Sequence, residues 1–286
     1  MKLSPRYDGA VFLTIDGRAD DQLLPVTRQR RRLEALLNDR SDDEWRSASR
    51  CEGWTVQDVV AHLAGVNVFW VASVLAGLAG APTKLLAAFD PARHPALLVE
   101  GTRSLSPREV LDQFVTSNDG FLGALATLDE AGWSALAETP VGHVSIRLLA
   151  HHALWDSWVH ERDIAIPLGL APAEEPDEVE SCLQYAAAIG PALRTLDSEA
   201  LAGEFGVLAS DPNVQFTLEV GNSVAVRHQT PRAHTPRLHG AAVELVEALS
   251  VREPLPADTP DEWRGLVNIL AAVFDNSRED GSRRSS

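Results

Sequence analysis

The hydrophobic pattern of this chain changes its period near residue 200, and this change limits the folds that the chain can adopt. Before that point apolar residues recur at the three- and four-residue spacing of amphipathic helices. The predicted helices cover residues 22–38, 55–78, 106–128, 144–168 and 177–196, with a short helical turn at 41–45. Beyond it, residues 214–220 and 224–228 alternate apolar and polar side chains around Gly221-Asn222-Ser223, which predicts a β-hairpin.

Two of the predicted helices begin with clear capping signals. Thr55 is typical of an N-cap, and Asp58 follows at the third helical position, where a carboxylate interacts favourably with the helix dipole. Ser106-Pro107-Arg108-Glu109 combines an N-cap, a proline in the first turn and an acidic residue. These signals fix where the second and third long helices start.

Four long helices joined by connectors predict a helical bundle, and the later alternating segments predict an α+β fold class overall. We expect the bundle to occupy residues 1–170 and a small α+β domain to occupy 177–275, separated by a Pro-rich linker at 171–176. The second domain should contain another strand at 237–239 and helices at 241–249 and 261–274. The polar tail 276–286 is expected to be disordered.

Charge and composition exclude several classes of partner. The chain has 41 acidic and 25 basic residues and a formal net charge of −16, a field that repels nucleic acids and anionic lipid surfaces. We find no apolar run that predicts a membrane span and no secretory signal. Cys51 and Cys182 are too far apart to indicate a thiolate zinc site or a disulfide framework. These features predict a cytoplasmic protein without nucleic-acid or membrane partners.

The basic cluster Arg28, Arg30, Arg31 and Arg32 is interleaved with leucines at helical spacing, and we interpret it as a solvated helix face. Nucleotide-binding and serine-hydrolase motifs are absent, because no GxGxxG follows a strand and neither a P-loop nor a GxSxG elbow occurs. Composition and the absence of these motifs therefore leave the function undecided. The spacing of polar side chains within the predicted helices is the remaining evidence for a functional site.

Asp156 and His160 are four residues apart in the fourth predicted helix, so both side chains lie on one helix face. Together with His62 of an earlier helix, they form a candidate metal site with two histidines and one carboxylate. Imidazole and carboxylate ligands suit Zn²⁺ and related divalent ions, and three protein ligands leave a coordination position open for catalysis. The alternative is that both histidines are core residues and that Asp156 is an interior cap.

Two further residues of this helix are candidates for catalytic roles. His152 lies four residues before Asp156 and could be a general acid or base, or a fourth ligand. Asp163 could orient His160 from outside the ligand set, or form a surface ion pair with Arg162. We expect Glu161 and Arg162 to form a solvated face. Four tryptophans are expected in the bundle core or cavity wall, and four histidines carry no site role: Trp54, Trp70, Trp155 and Trp158; His94, His143, His228 and His234.

Two segments of the chain resemble motifs of the mycothiol-dependent maleylpyruvate isomerase family. SRCEGWTVQDVVAHLAG at 49–65 resembles its opening motif, and WDSWVHERDI at 155–164 resembles its fourth helix. LHGAAVEL at 238–245 and LSVREPL at 249–255 are similar to its C-terminal domain. His239 stands where family members often have arginine, and Arg252 matches a recurrent basic position, which is as compatible with a structural role as with a functional one.

The resemblance implies a DinB-like four-helix bundle in which His62, Asp156 and His160 are the metal ligands. The family usually has glutamate where this chain has Asp156, so the shorter carboxylate must approach the ion more closely or bind through one oxygen. The implied enzyme binds mycothiol as cosubstrate on a divalent metal, for which Zn²⁺ is the first choice. The ionised thiol then attacks a small electrophile, either in a cis–trans isomerisation or in an S-transfer.

Two other classes of function stay open on the sequence alone. The same three ligands would serve a metal-dependent hydrolase in which water attacks instead of a thiol. A non-catalytic DinB-like module could keep the bundle as a binding unit. Substrate identity, the physiological metal and oligomeric state depend on side chains whose positions the sequence does not specify.

Overall fold

The computed structural model describes residues 3–91, 93–193 and 202–282, with side chains to residue 272. Within these ranges the helices are α1 Leu23–Asn38, α2 Asp42–Arg46, α3 Val56–Leu78, α4 His94–Glu100, α5 Pro107–Ala126, α6 Glu130–Ser134, α7 Ile146–Ala165, α8 Pro176–Ala192, α9 Ala242–Leu249 and α10 Asp261–Ser282. The strands are β1 Leu13–Ile15, β2 Leu136–Thr139, β3 Gly142–Ser145, β4 Gly203–Ser210, β5 Val214–Val220, β6 Val224–Arg227 and β7 Arg237–Ala241. The predicted α+β class is confirmed.

The four long helices α1, α3, α5 and α7 pack together as a bundle. Helices α3 and α1 each contact both α5 and α7. One hydrophobic cluster takes a fully buried side chain from each of the four helices, namely Leu33, Leu63, Phe114 and Ile164. Burying an apolar stripe of every helix against the others is the main source of stability in such an arrangement.

The predicted helix starts at Thr55 and Ser106 are confirmed, and both form reciprocal capping boxes. The Thr55 side chain accepts a hydrogen bond from the Asp58 backbone N–H, and Asp58 accepts one from the Thr55 N–H. Ser106 and Glu109 make the same pair of bonds at the start of α5. Each box satisfies backbone donors that the first helical turn otherwise leaves unpaired.

Helix α3 has 23 residues and is long and apolar enough to cross a membrane by length and composition, since an 18-residue window within it has a mean hydropathy of 1.9. This differs from the prediction that no segment could span a membrane. The helix packs against α5 and α7, and it carries the buried polar residues Asp58, His62 and Asn67. A single apolar helix inside a bundle is a weak indication of a membrane span, because core helices share its composition.

A five-stranded mixed sheet has the strand order β1-β6-β5-β4-β7. The predicted hairpin is present, because β5 and β6 pair antiparallel with Val220 opposite Val224. Strand β1 pairs parallel with β6 at the sheet edge, and helices α8 and α9 pack on the sheet. Residues 13–15 therefore belong to the C-terminal sheet, so a boundary at residue 170 does not separate the two parts cleanly.

Several elements differ from the sequence-based expectation. Helix α4, the β2–β3 hairpin and strand β4 were not predicted, and α7 starts at Ile146 because residues 142–145 form β3. Helix α10 continues to Ser282, so residues 276–282 are helical where we expected disorder. The tail residues 283–286 and the predicted helix end at 194–196 lie outside the described residues.

The arginine cluster of α1 is only partly a solvated face, because Arg31 is exposed but Arg30 is buried. Arg30 shares the inward side of the helix with Val26, Leu33 and Leu37, and all four are fully buried. Its guanidinium donates to the side-chain oxygens of Asn67 and Asn118 and to the Ala153 backbone oxygen. The helical period is as predicted, but Arg30 occupies a position on the apolar side of the helix instead of the polar side.

Candidate metal centre

Helices α3 and α7 bring His62, Asp156 and His160 together in the bundle. One ligand atom from each side chain lies within 4.8 Å of the others. Asp156 Oδ1 is 3.7 Å from His160 Nε2, and Asp156 Oδ2 is 4.0 Å from His62 Nε2. The two imidazole rings meet edge to face with centroids 5.1 Å apart. These separations are too long for hydrogen bonds and leave space between the three ligand atoms.

The polar atoms of this cluster fit a divalent cation. Asp156 Oδ2 and His62 Nδ1 are buried, and neither has a hydrogen-bond partner among the described residues. Buried polar atoms are normally satisfied, so an unpartnered carboxylate oxygen between two imidazoles indicates a missing positive partner. Two nitrogens and one carboxylate are a donor set that Zn²⁺ and other borderline divalent ions accept.

Asp163 contacts the other nitrogen of His160. The Asp163 Oδ2 atom is 3.0 Å from His160 Nδ1, three residues along α7. Arg50 and Arg252 both donate to the same carboxylate, which is fully buried. Burial alone would raise the pKa of Asp163, but His160 and Arg252 hold it well below its usual value. A carboxylate behind a ligand histidine fixes the ring and leaves Nε2 directed at the ion.

Burial and neighbouring charges give the two candidate ligand histidines different pKa values. Burial lowers the pKa of His62 to about 4, so its ring is neutral at neutral pH. Burial also opposes charge on His160, but Cys51 and Asp163 outweigh it and raise the pKa to about 10. Burial would raise the pKa of Asp156, yet His160 and His62 keep it below its ordinary value. An ion binding here must therefore displace a proton from His160.

Residues 26–165 match the family model described as the mycothiol maleylpyruvate isomerase N-terminal domain. This part of the chain belongs to that family. The match covers α3 and α7 and so includes all three candidate ligands, and the resemblance drawn from the two sequence motifs is confirmed.

Two solved structures share the fold. A crystal structure of the mycothiol-dependent maleylpyruvate isomerase aligns with a TM-score of 0.60 at 17% identity. A histidine-to-alanine mutant of that isomerase aligns with a TM-score of 0.59 at 15% identity. Each alignment covers 83% of this chain and 91% of the other, so it extends well beyond the matched N-terminal domain. No curated protein matches the chain significantly.

His152 is near the ligand cluster of this isomerase-family domain but is not part of it. The group of ligand atoms within 4.8 Å contains His62, Asp156 and His160. His152 Nδ1 is instead 2.7 Å from the Tyr185 hydroxyl, on α8. Burial lowers the pKa of His152 to about 4. The ring is therefore neutral at neutral pH, and its sequence-predicted role as acid, base or fourth ligand stays a prediction.

Sequence reasoning missed the ion-pair network behind the cluster. Glu247 of α9 accepts from Arg50 and Arg162, while Arg252 donates to Asp163. Cys51 lies in this network, with its sulfur 3.2 Å from Asp163 Oδ2. Arg50 and Cys51 fall inside the 49–65 motif, which could have suggested them. Nothing local to residues 247–252 indicates that they meet α7.

The expectation of a solvated Glu161–Arg162 face is wrong. Glu161 is 2% exposed and is paired with Arg32 of α1, and Arg162 is 9% exposed and is paired with Glu247. Helix α7 is covered by α1 on one side and by α8 and α9 on others, so almost no solvent face remains. A helix covered on several sides buries its charged side chains as ion pairs. The polarity of those residues alone does not reveal this burial.

The segment after α9 also reaches the helix that carries Asp156. Trp155 Nε1 donates to the Ser250 hydroxyl at 2.8 Å, and Arg252 contacts Asp163. Between them Val251 has φ +59°, a left-handed conformation that β-branched residues rarely adopt. The hydrogen bonds of Ser250 and Arg252 hold this strained turn against α7.

The remaining sequence-predicted residues lie where a structural role was expected. Trp70, Trp155 and Trp158 are buried, and the Trp54 ring is tilted against His62 with ring centroids 5.5 Å apart. The other four histidines lie away from the ligand cluster: His94, His143, His228 and His234. His239 of β7 is exposed, and Cys51 and Cys182 are free thiols.

Proposed function

We propose that this chain is a mycothiol-dependent enzyme that uses a divalent metal, with Zn²⁺ as the first choice, to act on a small electrophile. The observation that carries the proposal is the cluster of His62, Asp156 and His160, which lies inside a domain of the mycothiol maleylpyruvate isomerase family. Its reaction class is a cis–trans isomerisation or an S-transfer. Both reactions need the same ionised thiol.

A divalent ion bound here would supply a Lewis acid that lowers the pKa of a thiol, so that mycothiol is ionised at neutral pH. His62 and His160 would hold the ion through imidazole nitrogens and Asp156 through its carboxylate, and the ion would then be able to activate the thiol. Asp163 holds His160 from behind, and Arg50 and Arg252 keep Asp163 charged. His62, on the other hand, makes no hydrogen bond through Nδ1 among the described residues.

Asp156 stands where glutamate is usual in the family, and its geometry is consistent with ligation by the shorter side chain. Its two oxygens face different histidines, with Oδ1 toward His160 and Oδ2 toward His62. The Asp156 side chain is 17% exposed, although its Oδ2 atom is buried. Asp156 would therefore hold the ion together with both histidines.

His152 is the proposed hydrogen-bonding group for the electrophile. The ring is buried next to the ligand cluster, and its charge would influence the pKa values of both His62 and Asp156. Addition of a thiolate to an electrophile places negative charge on the substrate, and a positioned donor stabilises that charge. A neutral histidine is suited to donate a hydrogen bond without giving up its proton.

The proposal is tested by metal content and thiol binding. We would measure zinc by elemental analysis and titrate mycothiol by calorimetry for the native chain and for His160→Ala. His234→Ala is the matched control, because His234 is exposed and distant from the cluster. One metal per chain and thiol binding that vanish only in His160→Ala would support the proposal. Metal without thiol affinity would favour a hydrolase, and absence of metal would favour a non-catalytic binding module.

A further inference from the structure

Tyr185 of α8 forms the only hydrogen bond that His152 makes to a described residue. The Tyr185 hydroxyl is 2.7 Å from His152 Nδ1, and Tyr185 is 1% exposed. The imidazole is also flanked edge-on by the rings of Trp70 and Trp155, at centroid distances of 5.1 and 5.6 Å. Three aromatic neighbours therefore set the position of the His152 ring. Of these three, only Tyr185 makes a hydrogen bond that favours one tautomer of His152 over the other.

The two possible directions of this hydrogen bond are not equivalent. If His152 donated from Nδ1, the Tyr185 O–H would have no acceptor among the described residues, although it is buried. If Tyr185 donates, both atoms of the pair are satisfied. Burial, with the nearby Asp156 charge, raises the pKa of Tyr185, so that the hydroxyl keeps its proton at neutral pH. Buried donors are rarely left unpaired, which favours donation by Tyr185.

The other ring nitrogen of His152 is in a different environment. His152 Nε2 makes no hydrogen bond to a described residue, yet it is not among the buried unpartnered atoms, so solvent reaches it. A proton on Nε2 can thus be hydrogen-bonded to water or to a ligand. His152 also lies close enough to His62 and Asp156 to influence both electrostatically. The accessible nitrogen therefore lies on a ring that neighbours the metal-ligand cluster.

We propose that Tyr185 is a positioning residue that holds His152 as the tautomer protonated on Nε2, so that the ring offers a neutral N–H donor next to the ligand cluster. The role of that donor rests on the proposed function, in which it would stabilise the negative charge that a thiolate creates on the electrophile. The tautomer itself does not depend on any activity. Because Tyr185 comes from α8, the bundle would need the C-terminal part of the chain to complete its site.

Nitrogen-15 NMR of the full chain labelled at histidine tests this assignment. Long-range proton–nitrogen correlations distinguish a protonated from an unprotonated ring nitrogen, and His152→Gln identifies the His152 signals by their loss. We expect a protonated Nε2 and an unprotonated Nδ1 in the native chain. Tyr185→Phe removes only the hydroxyl, and it should shift both nitrogens toward the averaged values of a tautomer mixture. Tyr7→Phe, at the other tyrosine of the chain, should leave His152 unchanged.

The assignment is overturned if Nδ1 carries the proton in the native chain, or if Tyr185→Phe leaves both nitrogen signals unchanged. Should Tyr185→Phe fail to fold, the native spectrum alone decides between the two tautomers. Zinc content and mycothiol binding measured on the same samples separate the two proposals. The expected tautomer without zinc or thiol binding would overturn the proposed function only, whereas zinc and thiol binding with a protonated Nδ1 would overturn only the role of Tyr185.

Discussion

Asp163 Oδ2 lies 3.0 Å from His160 Nδ1, so the imidazole is held on the side away from the candidate metal position. His160 Nε2 faces Asp156 instead. One carboxylate is thus a candidate ligand, and the other orients a candidate ligand. The two carboxylates differ in their surroundings, because Asp163 is paired with two arginines and Asp156 with none among the described residues.

Asp163→Asn should weaken zinc binding about 10- to 100-fold, the range observed when the partner behind a ligand histidine is removed. Asparagine keeps the shape of the side chain and removes the charge that stabilises the His160 N–H. A competition titration with a chromogenic chelator measures the affinity. Asp112→Asn, an exposed aspartate of α5, is the control and should change nothing. Equal zinc affinity in Asp163→Asn and the native chain would show that His160 does not need this partner.

Zinc binding should release about one proton per ion at neutral pH, since a ligand nitrogen must be deprotonated. The pKa of His160 is raised to about 10 in the metal-free protein, so His160 is charged below that pH. Affinity should therefore increase with pH up to about 10. Calorimetry in two buffers of different protonation enthalpy counts the protons. Binding without proton release would mean that His160 is already neutral.

The same shift predicts how the metal-free protein responds to pH. Because the pKa of His160 is higher in the folded state than the unfolded value of about 6.5, its protonation stabilises the fold. This stabilisation is fully present at pH values below the unfolded pKa. It is lost as pH rises through about 10, the folded value for His160. Urea unfolding of metal-free protein across this range measures it. As pH rises from the unfolded pKa to the folded pKa of His160, the His160→Ala variant should lose less stability than the native chain.

Arg30→Met should destabilise the bundle by about 1–3 kcal/mol, because buried polar partners are left unpaired. The lost partners are the side-chain oxygens of Asn67 and Asn118 and the backbone oxygen of Ala153. Arg30→Lys tests whether charge suffices, since lysine cannot reproduce the planar fork that reaches all three acceptors. Urea denaturation measures both. A lysine variant as stable as the native chain would assign the effect to charge alone.

Glu247→Gln should destabilise the contact between α7 and α9 by about 3–5 kcal/mol, the usual cost of leaving buried charges unpaired. Glu247 is 4% exposed and accepts from Arg50 and Arg162. Thermal unfolding measures the change. Glu244→Gln, an exposed residue of the same helix, is the matched control. If both variants lose the same stability, the ion pairs are not responsible.

Sequence patterns were sufficient for the features that depend on residues near one another in the chain. The caps at Thr55 and Ser106 are local hydrogen bonds, and the hairpin at residues 221–223 joins neighbouring strands. Asp156 and His160 share a face because a helix repeats every 3.6 residues. The short elements α4, β2 and β3 lacked a distinct period and were missed.

Local patterns were enough to predict the α+β class, the four long helices and the spacing that places Asp156 beside His160. They could not predict which charged residues are buried, since Arg30, Glu161 and Arg162 become core residues through the helices that pack over them. The tertiary fold also brings Tyr185 and Arg252 into contact with α7, and it joins β1 to a sheet formed about 200 residues later. Such contacts join residues far apart in the chain, and local patterns carry no information about which distant surface a helix will bury against.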